Sequence, residues 1–221
     1  MTLSSGLRNA LRAALAEVLA EGGGDAAHDL AHADCVWMNA RVIALGEGRD
    51  PSPVLMAASY LHDLVVLPET HPDRARSSAL SAMAAGPVME ALGFTAREIA
   101  AARHAIEAQS LAASAEPLLP EAVILRDAVL LGALGAVGIA RAFAVAGAAG
   151  CDLFDPADPF ARTRTADVGA YALDRVLDNH LTLPRAMLTA TGRRLAAERL
   201  TAFRHWLGDL AGELQAPPPA R

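Results

Sequence analysis

The stretch that decides the reading is Ser59-Tyr60-Leu61-His62-Asp63-Leu64, "SYLHDL", which closes an otherwise apolar segment. Two adjacent ionisable residues at the end of a buried helix carry a desolvation cost unless something pairs with them. A metal ion is such a partner, and further imidazole and carboxylate groups occur elsewhere in the chain. His28 and His32 are spaced i,i+4, which puts both on one face of a helix, one turn apart. Asp127 lies inside a very apolar helix, where a lone carboxylate has to be neutralised or coordinated. Imidazole nitrogens and carboxylate oxygens from separate helices are a ligand mix suited to a divalent transition metal, Mn, Fe, Co, Ni or Zn.

The surrounding 221 residues are 53% hydrophobic and only 4% aromatic, rich in Ala and Leu, which favours an all-α fold over strands. No Pro/Gly/Ser-rich linker divides the chain, so residues 1–215 are expected as a single domain, followed by a disordered tail at 216–221. The net charge of −6 and the absence of any basic run argue against a polynucleotide partner. All 19 basic residues are arginine. Cys35 and Cys151 are far apart and in no C-x-x-C arrangement, consistent with a reducing cytoplasm. The N-terminal stretch carries Arg8, Arg12 and Glu17 through its apolar positions, and reads as an amphipathic helix rather than a leader. The apolar run around residues 129–150 approaches membrane-span length but is interrupted by Arg141, and is read as a buried helix.

Apolar periodicity predicts a helix from Leu3 to Leu19 that stops at Gly22-Gly23-Gly24. A second runs from the Asp25 cap to Leu45. Asp50-Pro51-Ser52-Pro53 opens the third, which His62-Asp63 ends and which stops by Pro68. A small-residue helix covers Asp73 to Leu92, and Thr95 with Glu98 forms a capping box for the fifth. The sixth is read as one long helix, "EAVILRDAVLLGALGAVGIARAFAVAG". The irregular segment "CDLFDPADPFARTRTADVG" is long enough to cover an active site. Helices at Ala170 to His180 and Pro184 to Leu214 complete the chain.

The order His32, His62-Asp63, Asp127 resembles the H…HD…D pattern of the HD-domain superfamily of metal-dependent phosphohydrolases, an all-helical fold. The resemblance extends to "HDLAH" at His28 to His32, "DAVLLGALGAVGIAR" at Asp127 to Arg141, "FDPADPF", "YALD" and the segment from Leu183 to Ala196. It is similar above all to the bacterial branch carrying "HD-x-x-H". It implies metal ligands at His32, His62, Asp63 and Asp127, one ion rather than two, and His28 as a pocket residue. It also implies hydrolysis of a nucleotide or small phosphate ester by metal-activated water, with Asp63, His104 and His28 in catalytic roles.

Several positions depart from the pattern. Val129, Leu130 and Gly132 stand where polar residues are usual, Gln109 replaces a histidine, and Arg175 and Asn179 occupy His and Lys positions. An altered pocket leaves a second reading open: non-phosphatase metal chemistry on a small organic substrate, or ligand binding without catalysis. Substrate contacts are expected from Arg74, Arg76, His71, Gln109 and Arg175. His71 reads equally as a solvated loop histidine, His104 as an ordinary helix residue, and Arg74 with Arg76 as a solvated helix start. The expected partner is a small, phosphorylated molecule rather than a membrane or polynucleotide, and the sequence leaves room for a homo-oligomer.

Overall fold

The computed structural model describes residues 3–22, 27–67, 71–112 and 115–217. Among these the fold is all-α: α1 (Leu3–Gly22), α2 (Leu30–Gly46), α3 (Pro53–Leu61), α4 (Ser77–Ala91), α5 (Ala96–Ala108), α6 (Pro120–Leu131), α7 (Gly135–Ala148), α8 (Ala172–Thr182) and α9 (Ala190–Glu213). Short 3-10 turns cover Arg74–Arg76 and Leu183–Ala186. The chain divides into two compact units, Met1–Val129 with Leu188–Thr191, and Leu130–Met187 with Gly192–Arg221. The three crossings, after Val129, Met187 and Thr191, fall inside or beside helices rather than in a linker, so composition carries no mark of them.

In the first unit α3 is the central element. Ser52 caps it by accepting the Leu55 N–H at 3.1 Å, Pro53 occupies its first turn, and every residue from Leu55 to Leu61 is buried. Such a helix, apolar on all sides, is stable only when surrounded, and α1, α2, α4 and α5 pack against it. Leu11, Val36, Ile43, Met89, Ile106 and Leu125 are buried in the same unit. The Thr95–Glu98 capping box forms as its spacing predicts, with Thr95 N–H donating to Glu98 Oε2 at 2.8 Å.

Several helix boundaries differ from the periodicity: α4 starts at Ser77 and α9 at Ala190, each after a 3-10 turn, and two further differences concern α2 and the long sixth helix. The second helix begins after Asp29, whose carboxylate accepts the His32 N–H at 2.8 Å. The expected cap Asp25, like Gly23, Gly24, Pro68 and the tail residues 218–221, lies outside the described residues. The long sixth helix is two helices, α6 and α7, separated at residues 132–134. Gly135 follows the break with φ of +68°, a conformation that residues with a Cβ rarely adopt. A Cβ on Gly138 would also collide with the Ala133 carbonyl group, so glycine is required where the chain bends. No single helix is long and apolar enough to cross a membrane; α6 and α7 pass that test of length and composition only together, as a bent pair.

The second unit is built on Ile139, Phe160, Leu173, Val176, Leu177 and Phe203. His180 is buried within it and neutral. Its Nε2 accepts the Gly135 N–H at 3.0 Å and its Nδ1–H donates to the Val176 carbonyl at 2.8 Å, while the ring stacks on Phe203 at 3.9 Å. Burial lowers its pKa below the usual histidine value.

Candidate metal centre

His32 lies in the first turn of α2, and His62 is the C-cap of α3 with Asp63 next in the turn that follows. Their packing brings three donor atoms together. His32 Nε2 and His62 Nε2 are 3.2 Å apart, and Asp63 Oδ2 lies 3.5 Å from the first and 3.1 Å from the second. Both imidazoles are buried; the Asp63 side chain is 27% exposed and opens the group to solvent.

A backbone contact sets the tautomer of His62. Its Nδ1 lies 2.9 Å from the Ser59 carbonyl oxygen, which can only accept, so Nδ1 carries the proton and Nε2 presents a lone pair. Burial works to raise the Asp63 carboxyl pKa, but the facing imidazoles of His62 and His32 outweigh it. The group stays well below the usual carboxylate range and is ionised.

This donor set fits a divalent ion. Ligands held about 2.1 Å from one ion are separated by roughly 3.0 Å at an octahedral edge and roughly 3.4 Å in a tetrahedron. The three separations here, from 3.1 to 3.5 Å, match that range. His32, His62 and Asp63 are also the one such group of His, Cys, Asp or Glu donors among the described residues.

Asp127, expected as a fourth ligand, is not part of that group. It is fully buried on α6, and the hydrogen-bond partners its burial demands are supplied by the protein. Its Oδ1 accepts the Leu188 N–H at 2.9 Å, and its Oδ2 accepts the Thr189 N–H at 2.8 Å and the Thr189 hydroxyl at 2.6 Å. His28 precedes α2 instead of sharing a helical face with His32, because Asp29 starts the helix; its ring still lies 6.0 Å from that of His32, edge on.

The remaining expected site residues have other partners. His104 accepts the Leu118 N–H on Nε2 at 3.1 Å. His71 is exposed and accepts the Asp73 N–H at 3.0 Å. Arg74 donates to the Ser77 hydroxyl at 3.1 Å, and the exposed Arg76 faces Asp73 at 3.6 Å. Gln109 is buried as the C-cap of α5. Arg175 belongs to the second unit, where it donates to the Val168 carbonyl at 3.0 Å. The segment expected to cover an active site is also in the second unit; it has no helix and makes one parallel bridge, Asp152 to Tyr171.

Sequence reasoning missed the residues that support the constellation. The Ser59 carbonyl has no side-chain signal at all. Thr189 had one, as the threonine of the "LP-x-x-M-x-T" segment, but nothing in the sequence links it to Asp127, 62 positions earlier. A second network centres on Tyr60 of α3. There the buried Tyr60 hydroxyl donates to Asp34 Oδ1 at 2.6 Å and accepts from Arg8 at 2.8 Å, and Arg8 and Arg12 both pair with Asp34.

No family model matches the chain, and no curated protein does. Solved structures match over nearly its whole length. Bacillus subtilis YpgQ, in complex with ADP, is 26% identical with a TM-score of 0.68, over 96% of this chain and 97% of that one. An HD-superfamily hydrolase from Bacillus thuringiensis is 24% identical with a TM-score of 0.69, over 98% and 100%. A predicted HD-superfamily hydrolase from an uncultured Thermotogales bacterium is 22% identical with a TM-score of 0.58, over 96% and 99%. The chain thus shares the all-α fold of HD-superfamily hydrolases, with a His-His-Asp group where the first turn of α2 meets the end of α3.

Proposed function

We propose that the protein is a metal-dependent phosphohydrolase acting on a nucleotide or another small phosphate ester. The observation that carries this reading is the convergence of His32 Nε2, His62 Nε2 and Asp63 Oδ2 within 3.5 Å of one another on a hydrolase fold. ADP in the similar Bacillus subtilis protein supports a substrate of the nucleotide class. The net charge of −6 disfavours a polynucleotide.

His32, His62 and Asp63 would hold one ion, Mn, Fe, Co, Ni or Zn. Asp127 is a candidate fourth ligand through the single lone-pair site that its three donors leave on Oδ1. When bound, such an ion lowers the pKa of a coordinated water and polarises a phosphoryl oxygen. Ser59 holds the His62 ring in the tautomer that exposes Nε2. Asp63 contributes a negative charge and a solvent-facing oxygen, and His28, beside His32, lines the approach. Arg74 and Arg76 are candidate anchors for the phosphate charge.

A competing reading is a repurposed pocket on the same fold, favoured by the commitment of His104 to Leu118 and by the burial of Gln109. One experiment separates the two. Metal-stripped protein and its Asp63→Ala variant are assayed with Mn, Co, Ni, Mg or Fe for phosphate and pyrophosphate release from a panel of nucleotides and sugar phosphates. Release that requires both metal and Asp63 is the expected result. Release that ignores Asp63→Ala sinks the phosphohydrolase reading, and metal binding without any release favours the repurposed pocket.

A further inference from the structure

The second unit contains a mostly apolar cavity of about 700 Å³, whereas His32, His62 and Asp63 all belong to the first unit. That volume falls within the range of small-molecule sites, roughly 300–1,000 Å³. Its floor is hydrocarbon: Phe160, Leu177, Leu181, Phe203 and Leu207.

The wall formed by the segment after Asp155 is exposed yet tightly built. The Asp158 carboxylate accepts the backbone N–H groups of Arg162, Thr163 and Arg164 together with the Thr163 hydroxyl. Asp174, fully buried, holds Arg164 through two bonds of 2.5 and 2.8 Å and accepts the Asp167 N–H at 2.7 Å. Between these anchors Ala161 is held at φ of +45°, a conformation that a residue with a Cβ adopts only when its surroundings impose it.

The charges around the cavity do not balance. Arg162 and Arg204 line it, and Arg185 lines an adjoining cavity of about 270 Å³ that shares Leu181, Phe203 and Arg204. None of these three guanidinium groups pairs with a carboxylate among the described residues. Of the two acids in the lining, Asp174 is committed to Arg164, which leaves only Asp178 in opposition. A cationic surplus thus borders an apolar floor in a chain whose net charge is −6. The Thr163 hydroxyl is already donated to Asp158, so little in the lining would read a sugar or a base.

We propose that this cavity binds a single-chain amphipathic anion, its hydrocarbon chain lying over Phe160, Leu177 and Phe203 and its carboxylate or phosphate head group held by Arg162 and Arg204. Arginine pairs with either head group through the same planar fork. The site is independent of the phosphohydrolase reading and stands or falls by itself.

The test is calorimetric titration of the full chain with laurate, dodecyl phosphate and dodecanol, each below its micellar or solubility limit. It is repeated on Arg162→Ala/Arg204→Ala and on Ala166→Trp, which fills the cavity from its exposed wall. The expected result is one anion per chain, with dodecanol at least about tenfold weaker. The double arginine variant should lose about tenfold for the anions and nothing for dodecanol, and Ala166→Trp should weaken all three. The preferred anion identifies the head group. Failure of both anions to bind, or anion binding unchanged in either variant, overturns the proposal. The arginines are exposed, and circular dichroism of each variant verifies that the fold is kept.

Discussion

The Nε2 atoms of His32 and His62 face one another at 3.2 Å, one from the first turn of α2 and the other from the C-cap of α3, with Asp63 Oδ2 within 3.5 Å of both. Because the Ser59 carbonyl claims the Nδ1 proton of His62, the two rings cannot satisfy one another twice over; a single proton or a cation must lie between them. This relationship leaves the group able to hold a metal ion.

Divalent metal should therefore stabilise the folded chain. At an ion concentration about 100 times its Kd, unfolding in urea should cost about 2.7 kcal/mol more than in chelator. In Asp63→Ala the metal-dependent increment should vanish at the same concentration. An equal increment in the variant would move the ion elsewhere.

Asp127 and Thr189 should be coupled. Thr189→Val removes the hydroxyl donated to Asp127 at 2.6 Å and should cost about 1.5–3 kcal/mol. Asp127→Ala leaves that hydroxyl and the Leu188 and Thr189 N–H groups without their acceptor, and should cost more, about 3–5 kcal/mol. Chemical denaturation of the two variants and their double reads the coupling, and strict additivity would contradict it.

Acid should weaken the second unit through His180. Its folded pKa lies below the unfolded value of about 6.5, so between the two the unfolded chain binds a proton that the folded chain does not. Stability from this group is complete above about pH 6.5 and declines as pH falls toward the folded value. Comparing the pH dependence of unfolding in wild type and His180→Gln should show a shallower decline in the variant; identical slopes would exclude His180.

The segment around Asp158 should resist acid until lower pH. Backbone N–H bonds from Thr163 and Arg162 hold the Asp158 carboxyl far below the usual carboxylate range. Its contribution is therefore present above the unfolded value of about 3.9 and is lost as pH falls through the folded one. Hydrogen exchange at Arg162 to Arg164 should stay protected at pH 5 in wild type and be faster in Asp158→Asn. Equal protection in both proteins would mean the carboxylate charge does not order the segment.

Gly46 marks a close approach at the end of α2. A Cβ there would lie 2.4 Å from Thr191 Oγ1, so Gly46→Ala should destabilise by about 1–3 kcal/mol. Thr191→Ala removes the colliding atoms and should return part of that loss in the double variant. No recovery would place the strain elsewhere.

Much of the first unit was legible in the sequence because its signals are local. The Pro-Ser-Pro entry to α3, the Thr95–Glu98 box and the apolar run into His62-Asp63 each depend on neighbours within one or two helical turns. The break between α6 and α7 was not legible. Apolar periodicity continues across residues 132–134, and the close approach of Gly138 to Ala133 depends on the path the backbone takes. The start of α2 was misread for a similar reason, since Asp25 and Asp29 are chemically equivalent caps and the fold uses Asp29.

By itself, then, the sequence determined an all-α chain and the candidate donors His32, His62, Asp63 and Asp127, because helix propensity, capping and the cost of burying charge are properties of short stretches. Tertiary structure alone decided which donors meet. The 3.2 Å separation of His32 from His62 spans 30 positions, and the three donors that satisfy Asp127 come from 61 and 62 positions away. Helical periodicity carries no information about distances of that kind, which are set by the packing of whole helices around α3.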